Sequence, residues 1–152
     1  MFERGTEGAE SRTPITLGKA ELLREGKDVT ILSIGYMSNI ALEAAYLLKD
    51  GGMDSEVINA RFIKPIDGEL IIKSVLKTGS IFTIEEGTIN GGFGSGVLEL
   101  IIDKVPKNTI IKNIALPDKF IEHGDRQVLL DRYGLSSRRI AETIKNYGKD
   151  RN

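Results

Sequence analysis

Two adjacent carboxylates, Glu85 and Glu86, end the apolar run Ser80-Ile81-Phe82-Thr83-Ile84. The carboxyl ends of strands are where open α/β sheets bind ligands, and a carboxylate pair there suits proton transfer or a hard metal ion. Neighbouring strand residues point to opposite faces, however. The competing assignment has one Glu capping loop or helix amides and the other in solvent. A glycine-rich stretch follows, Gly87-Thr88-Ile89-Asn90-Gly91-Gly92-Phe93-Gly94-Ser95-Gly96. Leading from a strand into a helix, it offers backbone N–H groups to an anion. It lacks the Lys-Ser/Thr of a phosphate loop, and Glu99 stands where a dinucleotide fingerprint has its last glycine. A tight turn with close helix–sheet packing therefore competes with phosphate binding. The single histidine, His123, follows Glu122 in Leu116-Pro117-Asp118-Lys119-Phe120-Ile121-Glu122-His123-Gly124. A loop histidine beside a carboxylate has the chemistry of a general acid or base, but no nucleophile accompanies it, so a structural or interface role competes. Arg61-Phe62-Ile63-Lys64-Pro65 puts two cations and an aromatic at a strand end, a pattern for a phosphate or for a solvated or subunit-facing turn. Taken residue by residue, these groups form no self-sufficient catalytic constellation.

Composition narrows the classes further. The 152 residues fit one domain, large enough to build a core without covalent staples. With 21 Lys+Arg against 22 Asp+Glu, the net charge of −1 excludes a generally basic nucleic-acid binder and an acidic tail. No cysteine and one histidine exclude disulfides, thiolate catalysis and cysteine- or histidine-rich metal sites. The absence of Trp and an aromatic content of 6% argue against a base-stacking surface. No apolar run spans a bilayer and Met1 opens no signal peptide, so no membrane association and a cytoplasmic location are expected.

The elements that must position these groups follow from periodicity. Residues 1–13 are polar and glycine-dotted and read as a flexible lead-in; residues 14–152 read as the domain. Pro14–Leu17 with Ala20–Arg24 suggests a short strand pair or one kinked edge strand. Val29–Gly35 is apolar at nearly every position, the mark of a strand buried on both faces. Ser38 or Asn39 is expected to cap a helix running to about Lys49, with Ile40, Ala44, Leu47 and Leu48 inward and Gly51-Gly52 at its end. A second strand is expected at Ser55–Ala60. A helix capped by Asp67 follows, with Leu70, Ile71, Ser74 and Val75 inward and Gly79 as its stop. After the strand at 80–85, the glycine stretch leads to a helix facing in through Val97, Leu98, Ile101 and Ile102. A fourth strand is expected at 109–115, a short helix at 125–132, and a last helix at 136–147 capped by Ser136 or Ser137. Strands alternating with helices imply an α/β layered domain with a mainly parallel sheet.

Four segments in order carry a resemblance. They are Gly18-Lys19-Ala20-Glu21-Leu22-Leu23-Arg24-Glu25-Gly26, then Asn59-Ala60-Arg61-Phe62-Ile63-Lys64-Pro65-Ile66-Asp67, then Glu85-Glu86-Gly87 with Gly91-Gly92-Phe93-Gly94-Ser95, and finally Leu116 to Gly124. Together they resemble the C-terminal, transketolase C-terminal-like domain of the 1-deoxy-D-xylulose-5-phosphate synthases, across residues 14–147. The first three occur in related form in transketolases and in the beta subunits of 2-oxo-acid dehydrogenases. Ile121-Glu122-His123-Gly124 points to the deoxyxylulose-phosphate branch.

The resemblance implies a three-layer αβα fold whose mostly parallel sheet of about five strands has one antiparallel edge strand. It implies a parent enzyme, a transferase that condenses pyruvate with glyceraldehyde 3-phosphate for isoprenoid and thiamine precursors, using thiamine diphosphate and Mg²⁺. In that family the preceding domains supply the cofactor site and nearly all catalytic residues, and the C-terminal domain supports the dimer. This chain has no Gly-Asp-Gly with a downstream Asn, so it is expected to hold no cofactor, metal or catalytic residue of its own and to be inactive alone. Its expected partners are the remaining domains and, weakly, a second copy. Arg4, in Phe2-Glu3-Arg4-Gly5, corresponds to a family arginine that contacts the substrate phosphate. Phe62, Phe93, Phe120 and His123 are the expected interface residues. A C-terminal domain of a transketolase or 2-oxo-acid dehydrogenase, and a stand-alone ligand-binding module built on the Gly87–Gly96 turn, are the alternatives.

Overall fold

The computed structural model describes residues 14–149. The lead-in over residues 1–13, Arg4 included, lies outside the described residues. Ten elements follow one another: β1 (Glu21–Arg24), β2 (Val29–Ser33), α1 (Met37–Asp50), β3 (Ser55–Asn59), α2 (Gly68–Thr78), β4 (Ser80–Thr88), α3 (Phe93–Ile101), β5 (Ile110–Leu116), α4 (Arg126–Arg132) and α5 (Ser137–Lys149). The strands form one sheet in the order β1-β3-β2-β4-β5. β2, β3, β4 and β5 pair in parallel, and β1 is an antiparallel edge strand on β3. The expected three-layer αβα architecture is the observed one.

The run Val29–Ser33 owes its unbroken apolar character to its place at the centre of the sheet. Ile31 packs with α1 and α5 on one face, Leu32 with α2 and α3 on the other, and both are wholly buried. The two cores are therefore separate and share the sheet as their common wall. Transferring side chains of this size out of water stabilises the fold by roughly 1.5–3 kcal/mol each, before the entropy cost of ordering the chain.

Several local expectations change. Residues 17–18 form a turn, so β1 alone supplies the edge, with a register shift between Leu22 and Arg24. α1 begins at Met37, after Gly35 has turned the chain with φ +60. Its N-cap position is Tyr36, without a side-chain cap, because Ser38 already lies inside the helix. Ser38 is buried there against Ser33, whose hydroxyl donates to it at 3.0 Å. The inner stripe of α1 runs through Ile40, Ala41, Ala44, Ala45 and Leu48, while Leu47 is 41% exposed. Residues 40 and 47 are two helical turns apart, and Ile40 already marks the edge of the stripe, so Leu47 falls past it. In α3 the inner stripe is Phe93, Gly94, Val97 and Ile101, which rotates Leu98 and Ile102 outward. The cap assignments elsewhere match the structure. Asp67 accepts the Leu70 N–H, Gly79 closes α2 in the left-handed conformation, and Ser136 Oγ accepts the Arg139 N–H at 3.4 Å.

Candidate functional site at the carboxyl edge of the sheet

From β2 the chain crosses to β3 on one side and later returns to β4 on the other. The carboxyl ends of β2 and β4 therefore flank the topological switch point, the usual crevice for a ligand in this architecture. Glu85 and Glu86 lie there, but the pleat sends them apart.

Glu85 turns inward and is 6% exposed. Its Oε2 accepts the Phe93 N–H and its Oε1 the Gly94 N–H, both at 2.8 Å. Two of the unpaired amides at the start of α3 are thereby satisfied, and the negative charge lies at the positive end of the helix dipole. The glycines leave room for this carboxylate. A Cβ on Gly92 would lie 2.5 Å from Glu85 Oε2 and 2.3 Å from the Thr88 carbonyl oxygen. A Cβ on Gly94 would lie 2.6 Å from both Asn113 Cγ and Thr83 Oγ1. The stretch that resembles an anion cradle is thus packed around the protein's own anion. The phosphate-binding alternative loses the Phe93 and Gly94 amides it needs.

Glu86 turns outward and meets Arg126 at the start of α4. The pair is bidentate, with Nε donating to Oε1 at 2.9 Å and Nη2 to Oε2 at 2.5 Å. The guanidinium carbon sits 4.1 Å from the centroid of the Tyr36 ring. The Glu86 hydrogen bonds, above all, raise the Arg126 pKa beyond its ordinary value. Tyr36, Glu86 and Arg126 thus close the crevice as one stacked, ion-paired unit. No cluster of three His, Cys, Asp or Glu suited to a metal ion occurs among the described residues. Arg126 and Leu130 line two cavities, of about 260 Å³ toward Tyr36 and Ser137 and about 160 Å³ toward Leu116 and Ile121.

The loop from Pro117 to Gly124 is fastened at several points. Asp118 accepts from the Asn90 amide at 3.2 Å, and Lys119 Nζ lies 5.4 Å from the Tyr133 ring centroid. Glu122 accepts from the Tyr133 hydroxyl at 2.6 Å and pairs with Arg132. The Tyr133 hydrogen bond, its own backbone N–H and Arg132 hold the Glu122 carboxyl down to about 2, from an ordinary 4.5. A depressed carboxyl pKa makes this fastening fully present above the unfolded value, and it is lost as pH falls from 4.5 through 2. The loop is accordingly tied to α4 throughout the neutral range.

The sequence candidates separate on this frame. His123 is exposed on the fastened loop, and among the described residues no hydrogen bond or ion pair engages its imidazole. Phe120 is 96% exposed. Phe62 is half-buried at the carboxyl end of β3. Phe93 is not a surface residue: it is 3% exposed and packs with Val97 and Ile101. Glu85 holds the Phe93 amide, and the helix then carries the ring into the core. Arg61 is committed to Glu21 on β1, with Nη2 to Oε2 at 2.6 Å, so it does not join Lys64 as a phosphate clamp. Tyr36 and Arg126 carried no local signal in the sequence. Arg126 lies 40 positions from Glu86, and only the tertiary fold brings them together.

Residues 18–140 match the family described as transketolase, C-terminal domain. The chain belongs to that family. This transketolase C-terminal domain is 45% identical, over 136 residues, to the 1-deoxy-D-xylulose-5-phosphate synthase of Heliobacterium modesticaldum, covering 90% of the chain and 21% of the relative. It is 44% identical over 137 residues to the enzyme of the same name from Gloeobacter violaceus, again covering 90% and 21%. The domain thus spans about a fifth of the length of the curated relatives it matches. A solved structure described as a split gene transketolase, an inactive β4 tetramer, superposes with a TM-score of 0.81 at 34% identity, over 90% of this chain and 43% of that one. Campylobacter jejuni transketolase superposes with a TM-score of 0.60 at 19% identity, over 85% of this chain and 18% of that one, a likeness of fold. No helix among the described residues is long and apolar enough to cross a membrane.

Proposed function

We propose that this transketolase C-terminal domain serves a 1-deoxy-D-xylulose-5-phosphate synthase as its C-terminal domain, contributing architecture and subunit contacts rather than chemistry. The parent reaction condenses pyruvate with glyceraldehyde 3-phosphate in the cytoplasm, with thiamine diphosphate and Mg²⁺ held by the other domains. The observation that carries this reading is the divergence of Glu85 and Glu86. One is spent on the α3 amides and the other on Arg126, so neither is available as an acid, a base or a metal ligand.

The α3 amides, the helix start best placed for a diphosphate, already hold the Glu85 carboxylate, which supports a cofactor site in the other domains. The same domain of a transketolase is the second reading, favoured by the split gene transketolase at 34% identity. The Ile121-Glu122-His123-Gly124 segment and the 45% identity to a deoxyxylulose-phosphate synthase favour the first. Arg4, outside the described residues, is proposed to reach the substrate phosphate in the assembled enzyme.

Titration calorimetry tests the division of labour. The chain alone, given thiamine diphosphate and Mg²⁺, is expected to show no binding heat. Micromolar affinity would overturn the reading, because the cofactor would then have a site within this domain.

A further inference from the structure

We propose that this domain packs against the preceding part of its parent enzyme through the carboxyl edge of its sheet, where the loops after β2, β3, β4 and β5 make an apolar docking surface. The inference rests on the reading of the chain as the C-terminal domain of a longer enzyme, and it names the face that meets the remainder.

The topology gathers these loops. β2, β3, β4 and β5 run in parallel, so the residues that follow each strand emerge at one edge of the sheet. Tyr36 follows β2, Ile63 follows β3, Ile89 follows β4 and Phe120 follows β5, and all four side chains are exposed. Neighbouring loops are tied to one another there. The Ile89 N–H donates to the Leu116 carbonyl at 2.8 Å, and the Asn90 amide donates to Asp118 at 3.2 Å. The amino edge is built differently. Its connections, at 25–28, 51–54 and 102–109, consist mostly of charged residues, Gly, Pro and Asn, and Ile102 is the large apolar side chain exposed in them. Single apolar residues scattered over a surface are ordinary, but their concentration at one edge marks a contact surface.

The path of the chain decides what covers that edge. β1 is antiparallel to β3, and its first residue, Glu21, pairs with Asn59, the last residue of β3. The segment leading into β1 therefore lies at the carboxyl edge. It is fixed there, with the Ala20 N–H donating to Asp67 Oδ2 at 3.1 Å and Gly18 so near the β3–α2 loop that a Cβ on it would lie 2.8 Å from Pro65 Cγ. Ile15 and Leu17 of the same segment are exposed beside it. In a C-terminal domain everything that precedes arrives through this segment, and the chain spans only about a fifth of the length of its relatives. A surface beside the tether meets the tethered neighbour at an effective concentration that a free second copy does not match. Glu86 with Arg126, Glu122 with Arg132, and Lys19 with Asp67 already pair within the domain, so an apolar partner surface strands little charge at this edge.

Hydrogen exchange read by mass spectrometry tests the proposal. The chain alone is compared with a chimera in which it replaces the matching segment of the Heliobacterium modesticaldum synthase. In the chimera, amides of residues 61–66 and 117–124 are expected to exchange at least about tenfold more slowly than in the chain alone, while those of 25–28 and 103–108 exchange at the same rate. The double variant Ile63→Asp/Phe120→Asp supplies the control. Both side chains face water in the chain alone, so its melting temperature is expected to stay within about two degrees of wild type. In the chimera the same pair of charges is expected to return both loops to their rates in the chain alone, because a charge is costly in a desolvated contact. A chimera that forms product with protection at the amino edge only, or at neither edge, overturns the docking face and leaves the parent reading in place. Protection that survives the double variant overturns it as well. A chimera that does not fold or forms no product overturns the parent reading, and the proposal falls with it.

Discussion

Replacing Glu85 with alanine is expected to lower the unfolding free energy by about 3 kcal/mol. The carboxylate accepts two amide hydrogen bonds in a site that is 6% exposed. Each bond to a charged group contributes roughly 1.5–3 kcal/mol, and a buried amide left without a partner costs about 1–3 kcal/mol. The full sum is not expected, because water can follow the side chain out of the turn. Glu85→Gln keeps one carbonyl oxygen for one amide and presents an N–H₂ donor to the other, so it is expected to fall between wild type and Glu85→Ala. Urea unfolding of the three proteins checks the order. A Glu85→Ala chain with an unchanged midpoint would mean that the α3 amides find other partners, and the account of the glycine stretch would fail with it.

Gly92→Val is expected to cost a similar amount, about 3 kcal/mol or more, by a different route. Gly92 has φ −79, which valine adopts freely, so no conformational strain is involved. Its missing Cβ is the issue, since a carbon there would lie 2.3 Å from a backbone oxygen and 2.5 Å from the carboxylate that caps the helix. Something must move, and overpacking of this kind typically costs about 1–3 kcal/mol before the cap is lost. Gly91 is the control. Its φ is +72 and nothing lies within 4 Å of its would-be Cβ, so Gly91→Ala is expected to cost only the left-handed backbone term, about 1–2 kcal/mol. Thermal melts of the two variants separate space from conformation. If Gly91→Ala is the more damaging, the turn is governed by its backbone angles and not by Glu85.

These two residues also show how much of the fold is legible in the sequence. The order of strands and helices could be read from alternation and caps, because those signals are local. Asp67 and Gly79 were identifiable as the ends of α2 from their residue types alone. That one of Glu85 and Glu86 would cap amides followed from the pleat, since adjacent strand residues face opposite ways. Which one, and onto which helix, depended on α3 folding back over β4, and no spacing rule encodes that. Helix faces were less legible. Leu47, Leu98 and Ile102 are apolar residues one step off the buried stripe, and hydrophobicity alone did not distinguish them from their inward neighbours. Phe93 and Phe120 were equivalent as aromatic loop residues in the sequence. The amide clamp on Phe93 sends one into the core, and the fastened loop leaves the other in water. Arg126 was invisible as a partner for Glu86, because long-range ion pairs leave no local pattern.

As the proposed C-terminal domain of a deoxyxylulose-phosphate synthase, this chain is expected to be interchangeable with that of a relative. The most direct measurement replaces the matching segment of the Heliobacterium modesticaldum enzyme, 45% identical to this chain over 136 residues, with this chain. The initial rate of 1-deoxy-D-xylulose 5-phosphate formation from pyruvate and glyceraldehyde 3-phosphate is then compared with that of the unaltered enzyme. The account predicts a rate within about tenfold of the parent, since it assigns the catalytic groups to the other domains and leaves this one to alter positioning but not to remove the chemistry. A soluble, fully folded chimera that binds thiamine diphosphate and yet forms no product would contradict it.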